Sequence, residues 1–271
     1  MTTSPRTALI ASVQRNCDIS DARHAGDSTM CIYLLRMREY FRWQQRIALG
    51  DALPSERLGL WIGEREAYLE ELADAMKAEY ETIVASGLDL QLDCPDLALS
   101  RHMLFNDLSN EEFIKIANSH VEALNYALSD VPAEKVRVHI CWGNYEGPHI
   151  CDIPMSKMFD TLMSTKARYV LFETSNPRHG HEWSVFKDRK NDIPEDKVLV
   201  PGVVDTTTNF VEHPDLVAQR IDRFVDIVGA DRVIAGSDCG FGTFAGFGAV
   251  DPEIAYAKLS SLSQGAAKSG V

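Results

Sequence analysis

From about residue 65 onward, the apolar residues alternate between a helical and a strand periodicity. Residues 64–87 (EREAYLEELADAMKAEYETIVASG) have apolar side chains three or four positions apart, which predicts a helix that stops at Gly87. The apolar positions that repeat in this way are Leu69, Leu72, Ala73, Met76, Tyr80 and Ile83. Residues 88–93 (LDLQLD) follow as a predicted strand.

The same alternation continues to the end of the chain. Ser109 and Glu112 have the spacing of a capping box, which predicts a helix to about residue 129. Further strands are predicted at 136–142, 167–173, 197–205 and 232–238, and further helices at 154–164, at 213–229 and after Asp251-Pro252. An irregular polar stretch covers 174–196. Such repeated βα units predict an α/β fold with a parallel sheet.

Polar or thiol side chains stand where each predicted strand ends. The intervals between them are 48, 32, 32 and 34 positions. One such residue could merely begin a loop, but five in successive units make coincidence much less probable. In a βα barrel the carboxyl ends of the strands hold the reactive groups, so we expect these residues to lie together. They are Asp93, Cys141, Glu173, Asp205 and Cys239.

Three of these positions, with a neighbouring histidine, predict a metal site. His139 and Cys141 are two apart on one strand, so their side chains point to the same face. Cys239 could supply a third ligand, and Glu173 could occupy or guard a fourth position. A tetrahedral set of nitrogen and sulfur ligands suits Zn²⁺, and three protein ligands with an exchangeable position is typical of catalytic zinc.

Composition and charge exclude some functions. With 40 acidic and 27 basic residues in 271, the net charge is -13, which argues against a nucleic-acid partner. The start of the chain is a poor secretory signal and no apolar run is long enough to span a membrane, so we expect a cytoplasmic protein. The six cysteines are too dispersed for a disulfide framework and are expected to be reduced.

Four motifs in the chain resemble a known family. HICWGN, FETSNPRH, PGVVDTTTNFVEHPDLVAQRI and GSDCGFGTF are similar, in this order, to the catalytic barrel of cobalamin-independent methionine synthase and its shorter relatives, the epoxyalkane:coenzyme M transferases among them. The resemblance covers roughly residues 65 to 268. It implies a zinc site at the mouth of a (β/α)8 TIM barrel, where a thiol substrate binds the metal directly. The implied ligands are His139, Cys141, Glu173 and Cys239.

The resemblance also assigns substrate-binding positions. Asp93 matches an aspartate that contacts the amino group of homocysteine in the synthases, although the next residue is Cys94 where they have a glutamate. Asp205 is expected to orient substrate or a water, but Thr206 follows it where the synthases have a proton-donating histidine.

The loop in NPRHGHEW also offers candidates. Arg178 and His179 are expected to face the substrate, with Arg178 holding a carboxylate or sulfonate; a solvated loop is the alternative. His149 and Cys151 repeat the H-x-C spacing beyond the strand, where a structural role, or support of the ligands, is expected.

Residues 1–64 depart from the family pattern and are assigned to a separate, mostly helical segment, with a helix at about 33–48; residues 65–271 form the barrel portion. This N-terminal segment faintly resembles the start of an uncharacterised bacterial family. The first three strands of the family barrel are not recognisable in it, so we expect an incomplete barrel with two unpaired sheet edges. The N-terminal segment, or another subunit of a homo-oligomer, could cover them.

Two functions therefore remain open. The first is a zinc-dependent transferase that alkylates a small-molecule thiol. Its donor would be a 5-methyltetrahydrofolate-type compound with homocysteine, or an epoxide with coenzyme M. The second is a noncatalytic barrel fragment that keeps zinc for structure or assembly.

Overall fold

The computed structural model describes residues 55–242 and 250–271. The helix predicted at 33–48 and most of the N-terminal segment 1–64 lie outside the described residues. The chain divides into two compact units, and the second, Leu69–Val271, holds the sheet and the residues discussed below. The boundary predicted at residues 64/65 stays a prediction.

The described residues form seven α-helices and five β-strands. The helices are α1 (Ser55–Ala85), α2 (Leu99–Met103), α3 (Asn110–Ala127), α4 (Met155–Met163), α5 (Trp183–Asp188), α6 (Pro214–Val228) and α7 (Pro252–Ser269). The strands are β1 (Leu90–Cys94), β2 (Val136–Ile140), β3 (Tyr169–Phe172), β4 (Val198–Val204) and β5 (Gly236–Ser237). The predicted alternation of helix and strand is confirmed, and the stretch 174–196 additionally contains α5.

The five strands make one parallel sheet in the order β1-β2-β3-β4-β5. The register aligns Asp93 with His139 on the neighbouring strand. The strand predicted at 232–238 shortens to two residues because the pairing of β4 with β5 shifts between Gly202 and Val204. The α/β half-barrel predicted from the sequence is confirmed. Among the described strands β1 and β5 are the edges, and a homo-oligomer that covers them stays a prediction.

The two faces of the sheet differ in burial. Leu90, Leu92 and Cys94 of β1 are buried, whereas Gln91 and Asp93 on the opposite face are partly exposed. An aromatic cluster fills the space between β3 and the helices on the buried side, and its rings lie 4.3 to 5.7 Å apart. Burying each ring contributes roughly 2–3 kcal/mol, so this cluster anchors the sheet. Its members are Phe159, Phe172, Phe186 and Phe224.

The helix ends agree with the chemistry of their sequences. Ser109 and Glu112 form the predicted capping box, with the Ser109 amide donating to Glu112 Oε2 at 2.8 Å. Asp251 caps α7 by accepting from the Glu253 amide at 2.8 Å. Within the described residues, no helix is long and apolar enough to cross a membrane.

Candidate functional site

A cavity of about 340 Å³ opens at the carboxyl end of the sheet. Its walls come from the loops after β2, β3, β4 and β5, as expected for parallel strands whose carboxyl ends meet at one edge. The lining residues are 143–149, 173, 176–179, 205–208, 238 and 239. Glu173, Asp205 and Cys239, predicted from the strand ends, are all in this wall.

A thiol cluster, defined here as Asp93, His139, Cys141 and Cys239, lies at this end of the sheet. The sulfur atoms of Cys141 and Cys239, 98 positions apart in the chain, are 3.7 Å from each other. His139 is buried, with Nδ1 3.2 Å from Asp93 Oδ1 and Nε2 3.0 Å from the carbonyl oxygen of Asp238. The structure therefore brings the distant cysteine to the H-x-C pair.

The protonation of this cluster is set by burial and by close pairs. Burial lowers the pKa of His139, but the hydrogen bond to Asp93 and the acidic groups nearby outweigh it and raise the pKa to about 9. The contact with Cys239 and burial raise the pKa of the Cys141 thiol well above its usual value. Both shifts favour the protonated forms of His139 and Cys141.

Glu173 is buried next to the thiol cluster. Its Oε1 accepts from the backbone amide of Trp142 at 2.8 Å, and its Oε2 accepts from Asn176 Nδ2 at 2.9 Å. Burial raises the pKa of Glu173 well above its usual value, and the nearby Cys141 and Asp238 act in the same direction. The carboxyl is therefore held in a site that disfavours negative charge.

Asp238 ties the loop after β3 to the end of β5. Its Oδ1 accepts from the amides of Thr174 and Ser175, both at 2.9 Å. Its Oδ2 accepts from Asn176, through the backbone amide at 2.8 Å and the side-chain Nδ2 at 3.1 Å. Burial raises the pKa of Asp238 to about 6, and these amides limit the rise. This clamp fixes the backbone immediately before Cys239, and Asp238 is not among the predicted site residues.

In the described part of the chain, no group of three or more His, Cys, Asp or Glu side chains is arranged to hold a metal ion. His139 Nε2 and both oxygens of Glu173 make hydrogen bonds to other protein atoms. The two sulfurs have suitable spacing, since thiolates at about 2.3 Å from one tetrahedral ion lie about 3.8 Å apart.

An acid–histidine cluster, defined as His149, Asp152, His179 and Glu182, lies beside the cavity. Asp152 Oδ2 is 3.0 Å from His149 Nδ1 and 3.1 Å from His179 Nε2, and His179 Nδ1 is 2.8 Å from Glu182 Oε2. Burial lowers the pKa of His179, but the bonds to Asp152 and Glu182 outweigh it and raise the pKa to about 9. The acids of this cluster were missed from the sequence, although H-x-x-D and H-x-x-E spacings were there to find them.

Two predicted substrate-binding residues differ in exposure. The His179 side chain is only 3% exposed and both its nitrogens face carboxylates, whereas Arg178 is exposed at the cavity and forms no ion pair within the described residues. Asp93 is the third predicted substrate-binding residue, and one of its carboxylate oxygens is hydrogen-bonded to His139. Their roles toward substrate stay predictions.

The wall formed by the loop after β4 is held by a chain of hydrogen bonds. Asp205 Oδ1 accepts from the amide and the hydroxyl of Thr207, each at 2.8 Å. The Thr206 hydroxyl donates to Asn144 Oδ1 at 2.7 Å, and Asn144 Nδ2 donates to the Gly240 carbonyl at 2.6 Å. Asn144 therefore links the loops after β2, β4 and β5 around Cys239.

The chain matches two family models. Residues 63–252 match the model described as "Cobalamin-independent synthase, Catalytic domain". Residues 8–91 match the N-terminal domain of a family of unknown function, DUF6866.

Curated relatives and one solved structure extend the comparison. A 2-hydroxypropyl-CoM lyase of Xanthobacter autotrophicus is 31% identical over 143 residues, covering 44% of this chain and 38% of the relative. A methionine synthase of Thermococcus kodakarensis is 25% identical over 206 residues, covering 76% of this chain and 51% of the relative. A B12-independent methionine synthase from Shewanella sp. W3-18-1, solved in complex with selenomethionine, aligns with a TM-score of 0.53 at 19% identity, over 75% of this chain and 55% of that one. The chain thus spans about half the length, or less, of the proteins it matches.

Proposed function

The chain belongs to the cobalamin-independent synthase catalytic domain family, and on this basis we propose that it is a zinc-dependent transferase that activates a small-molecule thiol for alkylation. The preferred reaction is methionine synthase-like, with a methyl group passing from a 5-methyltetrahydrofolate-type donor to homocysteine. The observation that carries the proposal is the 3.7 Å contact between Cys141 and Cys239 beside the buried imidazole of His139.

The donor set suits zinc. His139, Cys141 and Cys239 would hold the ion, and Glu173 would occupy or guard a fourth position. The bond from His139 Nδ1 to Asp93 is the support that metal-bound histidines usually have. Nε2 would be the ligating atom, and it would have to exchange its contact with the Asp238 carbonyl oxygen for the ion. The raised pKa values of Cys141 and Glu173 arise from burial and neighbouring acids, and a cation would relieve both.

The chemistry needs a deprotonated thiol. A free thiol with a pKa of about 8.5 is mostly protonated at neutral pH, and zinc, when bound, favours the thiolate. The residues of the chain then bind and orient the two substrates. A cavity of about 340 Å³ is large enough for small molecules. Arg178, which is exposed at the cavity, would hold an anionic group, Asp93 an amino group, and Asp205 the reacting end of the substrate or a water.

A second candidate is the addition of coenzyme M to an epoxide. It is favoured by the 31% identity to the 2-hydroxypropyl-CoM lyase and by Cys94, which replaces a glutamate of the synthases. The exposed guanidinium of Arg178 would suit a sulfonate as well as a carboxylate. Both candidates share the alkylation of an activated thiol.

Zinc analysis with a thiol titration tests the proposal. The purified protein should contain one zinc per chain, and the number of sulfur neighbours seen by X-ray absorption spectroscopy should rise from two to three on adding homocysteine or coenzyme M. The thiol that produces this change identifies which candidate reaction to assay. Cys239→Ser should lose most of the metal, because one of three ligands is removed.

Cys151→Ser is the matched control, since Cys151 is a free, partly exposed cysteine outside the thiol cluster. It should retain the zinc of the wild type. A zinc site whose coordination ignores both thiols would instead support the noncatalytic, structural role. Full zinc content in Cys239→Ser would contradict the ligand assignment.

A further inference from the structure

The two sulfurs of the thiol cluster are carried by segments that are fixed to different degrees. Cys141 follows the five-residue strand β2, and its carbonyl oxygen accepts from the Leu99 amide at 2.9 Å. Cys239 follows β5, which has only two residues, and Gly240 comes directly after it. The 3.7 Å contact between the two sulfurs therefore depends on what holds the segment of Cys239 in place.

Hydrogen bonds around β5 hold this segment only in part. The Ser237 hydroxyl donates to the carbonyl oxygen of Cys239 at 2.8 Å, but both groups belong to the segment itself. Asp238 attaches the segment to β4 and to the loop after β3. Its carbonyl oxygen also contacts His139 Nε2 at 3.0 Å, and a metal bound to that nitrogen would end this contact.

Asn144 ties the two cysteine-bearing segments to each other directly. It lies three residues after Cys141, and its Nδ2 donates to the carbonyl oxygen of Gly240 at 2.6 Å. Gly143 makes the turn before it with φ of 115°, and a Cβ there would lie 2.8 Å from the Leu99 side chain. The tie from Asn144 to Gly240 involves no metal-ligating atom, so a bound metal leaves it intact.

Thr206 sets the direction of the Asn144 amide. Its hydroxyl, on a residue that is 1% exposed, donates to Asn144 Oδ1 at 2.7 Å. A carboxamide has one acceptor end and one donor end, so this bond leaves Nδ2 directed at the Gly240 carbonyl. Without the Thr206 hydroxyl, the amide loses the donor that holds it in this orientation.

We propose that Thr206 and Asn144 are positioning residues that hold Cys239 beside Cys141, so that both sulfurs are placed for one ion. This inference rests on the proposed thiol alkylation, in which the two sulfurs are zinc ligands. Thr206 and Asn144 act through Gly240 on the backbone next to Cys239, and the role requires no contact with substrate. Ligands that are held in advance bind an ion more tightly, because less ordering accompanies binding.

Binding of cobalt(II), added alone to the metal-free protein, measures the effect on the site. Thr206→Val keeps the shape of the side chain and removes the hydroxyl, and it should weaken cobalt binding at least about 10-fold. The sulfur-to-cobalt charge-transfer absorption gives the titration curve. Thr206→Ser keeps the hydroxyl and should stay within about threefold of the wild type.

Thr161→Val is the matched control. The Thr161 hydroxyl is buried and donates to Asn118 Oδ1 at 2.7 Å, which is the same type of bond but joins helices α4 and α3. Both valine variants remove one buried hydroxyl and should lose similar stability in urea. Thr161→Val should nevertheless bind cobalt within about threefold of the wild type. Equal cobalt affinities in the two valine variants would show that Thr206 has a structural role alone, and would overturn the proposal.

A second measurement needs no metal. In a glutathione buffer, the thiols of Cys141 and Cys239 give two protons and two electrons to glutathione disulfide, which becomes two glutathione molecules. The equilibrium fraction of protein disulfide, followed by mass spectrometry of the linked peptides, gives the effective concentration of one thiol at the other. Thr206→Val and Asn144→Asp, which removes the amide donor to Gly240, should each lower this concentration at least about fivefold.

The metal-free measurement separates this proposal from the proposed function. An effective concentration that Thr206→Val and Asn144→Asp leave unchanged would overturn the positioning role, whatever the cobalt affinities are. Asn144→Asp alone decides the question if Thr206→Val does not fold. A wild type that binds neither zinc nor cobalt would contradict the proposed function instead, and the glutathione equilibrium would still test the positioning of Cys239.

Discussion

The thiol cluster and the acid–histidine cluster lie at the same end of the sheet but satisfy their polar atoms differently. In the acid–histidine cluster, His179 bridges two carboxylates at 2.8 and 3.1 Å. In the thiol cluster, the two sulfurs meet each other at 3.7 Å, and thiols are weak hydrogen-bonding groups. The acid–histidine cluster is therefore a set of strong charge pairs, whereas the two sulfur atoms of the thiol cluster have no strong hydrogen-bond partner.

This difference indicates what each cluster contributes. Buried ion pairs stabilise a fold relative to leaving one partner alone, because an unpaired buried charge is costly. Two buried thiols contribute little more than small apolar side chains would. We therefore expect mutations in the acid–histidine cluster to change folding stability, and mutations of Cys141 and Cys239 to change zinc binding.

The largest stability effect should come from Asp152→Ala. The Asp152 side chain is 1% exposed and its Oδ2 serves both His149 and His179, so its removal leaves two imidazoles without their shared anion. We expect a loss of about 3–5 kcal/mol in the free energy of unfolding, measured in urea at pH 7.

The control for this change is Asp160→Ala, which breaks an ion pair between Arg189 and a carboxylate that is 77% exposed. It should cost less than about 1 kcal/mol. Equal losses in the two variants would show that the acid–histidine cluster is no stronger than a surface pair.

The thiol cluster was predicted from the sequence, whereas the acids of the acid–histidine cluster were missed, because only short H-x-x-D and H-x-x-E spacings mark them. His139 and Cys141 share a face by strand periodicity, and Cys239 ends a later parallel strand, so the fold alone brings them to one edge. The parallel sheet could likewise be predicted from the alternation of helical and strand periodicity in the apolar residues. The loops have no such periodicity, and for this reason Asp152 and Glu182 were not identified.

Long-range contacts through loops explain the other omissions. The sequence pattern marks Asp238 only as part of the last predicted strand. Its hydrogen-bond donors, the backbone amides of residues 174–176, come from a different loop. The shortened β5 depends on a register shift that apolar periodicity does not encode. Residues at or just beyond the strand ends could therefore be predicted from the sequence, whereas the contacts between loops could not.

Measuring the free energy of unfolding at several pH values should sharpen the comparison between the two clusters. Because the pKa of His179 is raised to about 9 in the fold and is about 6.5 when unfolded, its charged form stabilises the protein. That contribution is complete below pH 6.5 and is lost as the pH rises through about 9. Its size is about 3 kcal/mol, from 1.36 kcal/mol per pKa unit.

The measurement compares urea unfolding of the wild type and His179→Gln between pH 6 and pH 10. The wild type should be more stable than the variant at pH 6, and this advantage should shrink toward pH 10. His181→Gln serves as the control for the loss of an imidazole, because His181 is an exposed histidine of the same loop. An advantage that is constant with pH would contradict the charge pairing.

A smaller effect is expected at the clamp beside the thiol cluster. A Cβ on Gly202 would lie 2.2 Å from Asp238 Oδ1 and 2.5 Å from its Cα, so Gly202→Ala forces β4 away from the end of β5. We expect a loss of roughly 1–3 kcal/mol in stability. Zinc content should fall as well, because Asp238 directly precedes Cys239.

Gly240→Ala is the matched control for this change, since a Cβ there meets no described atom within 4 Å. It should leave both stability and zinc content near those of the wild type. Unchanged zinc in Gly202→Ala, despite lower stability, would show that the clamp does not position Cys239.

The smallest stability effect should come from Cys141→Ala in the zinc-free protein. The Cys141 thiol is weakly hydrogen-bonded, and the contact with Cys239 and burial raise its pKa, so we expect a change within about 1 kcal/mol, similar to that of Cys94→Ala in the core of the sheet. Added zinc should separate the two variants. At a free concentration 100 times the dissociation constant, zinc stabilises a protein by about 2.7 kcal/mol, and Cys141→Ala should lose this gain while Cys94→Ala keeps it. A loss of several kcal/mol in zinc-free Cys141→Ala would mean that the thiol cluster itself supports the fold. The contrast with the acid–histidine cluster would then no longer hold.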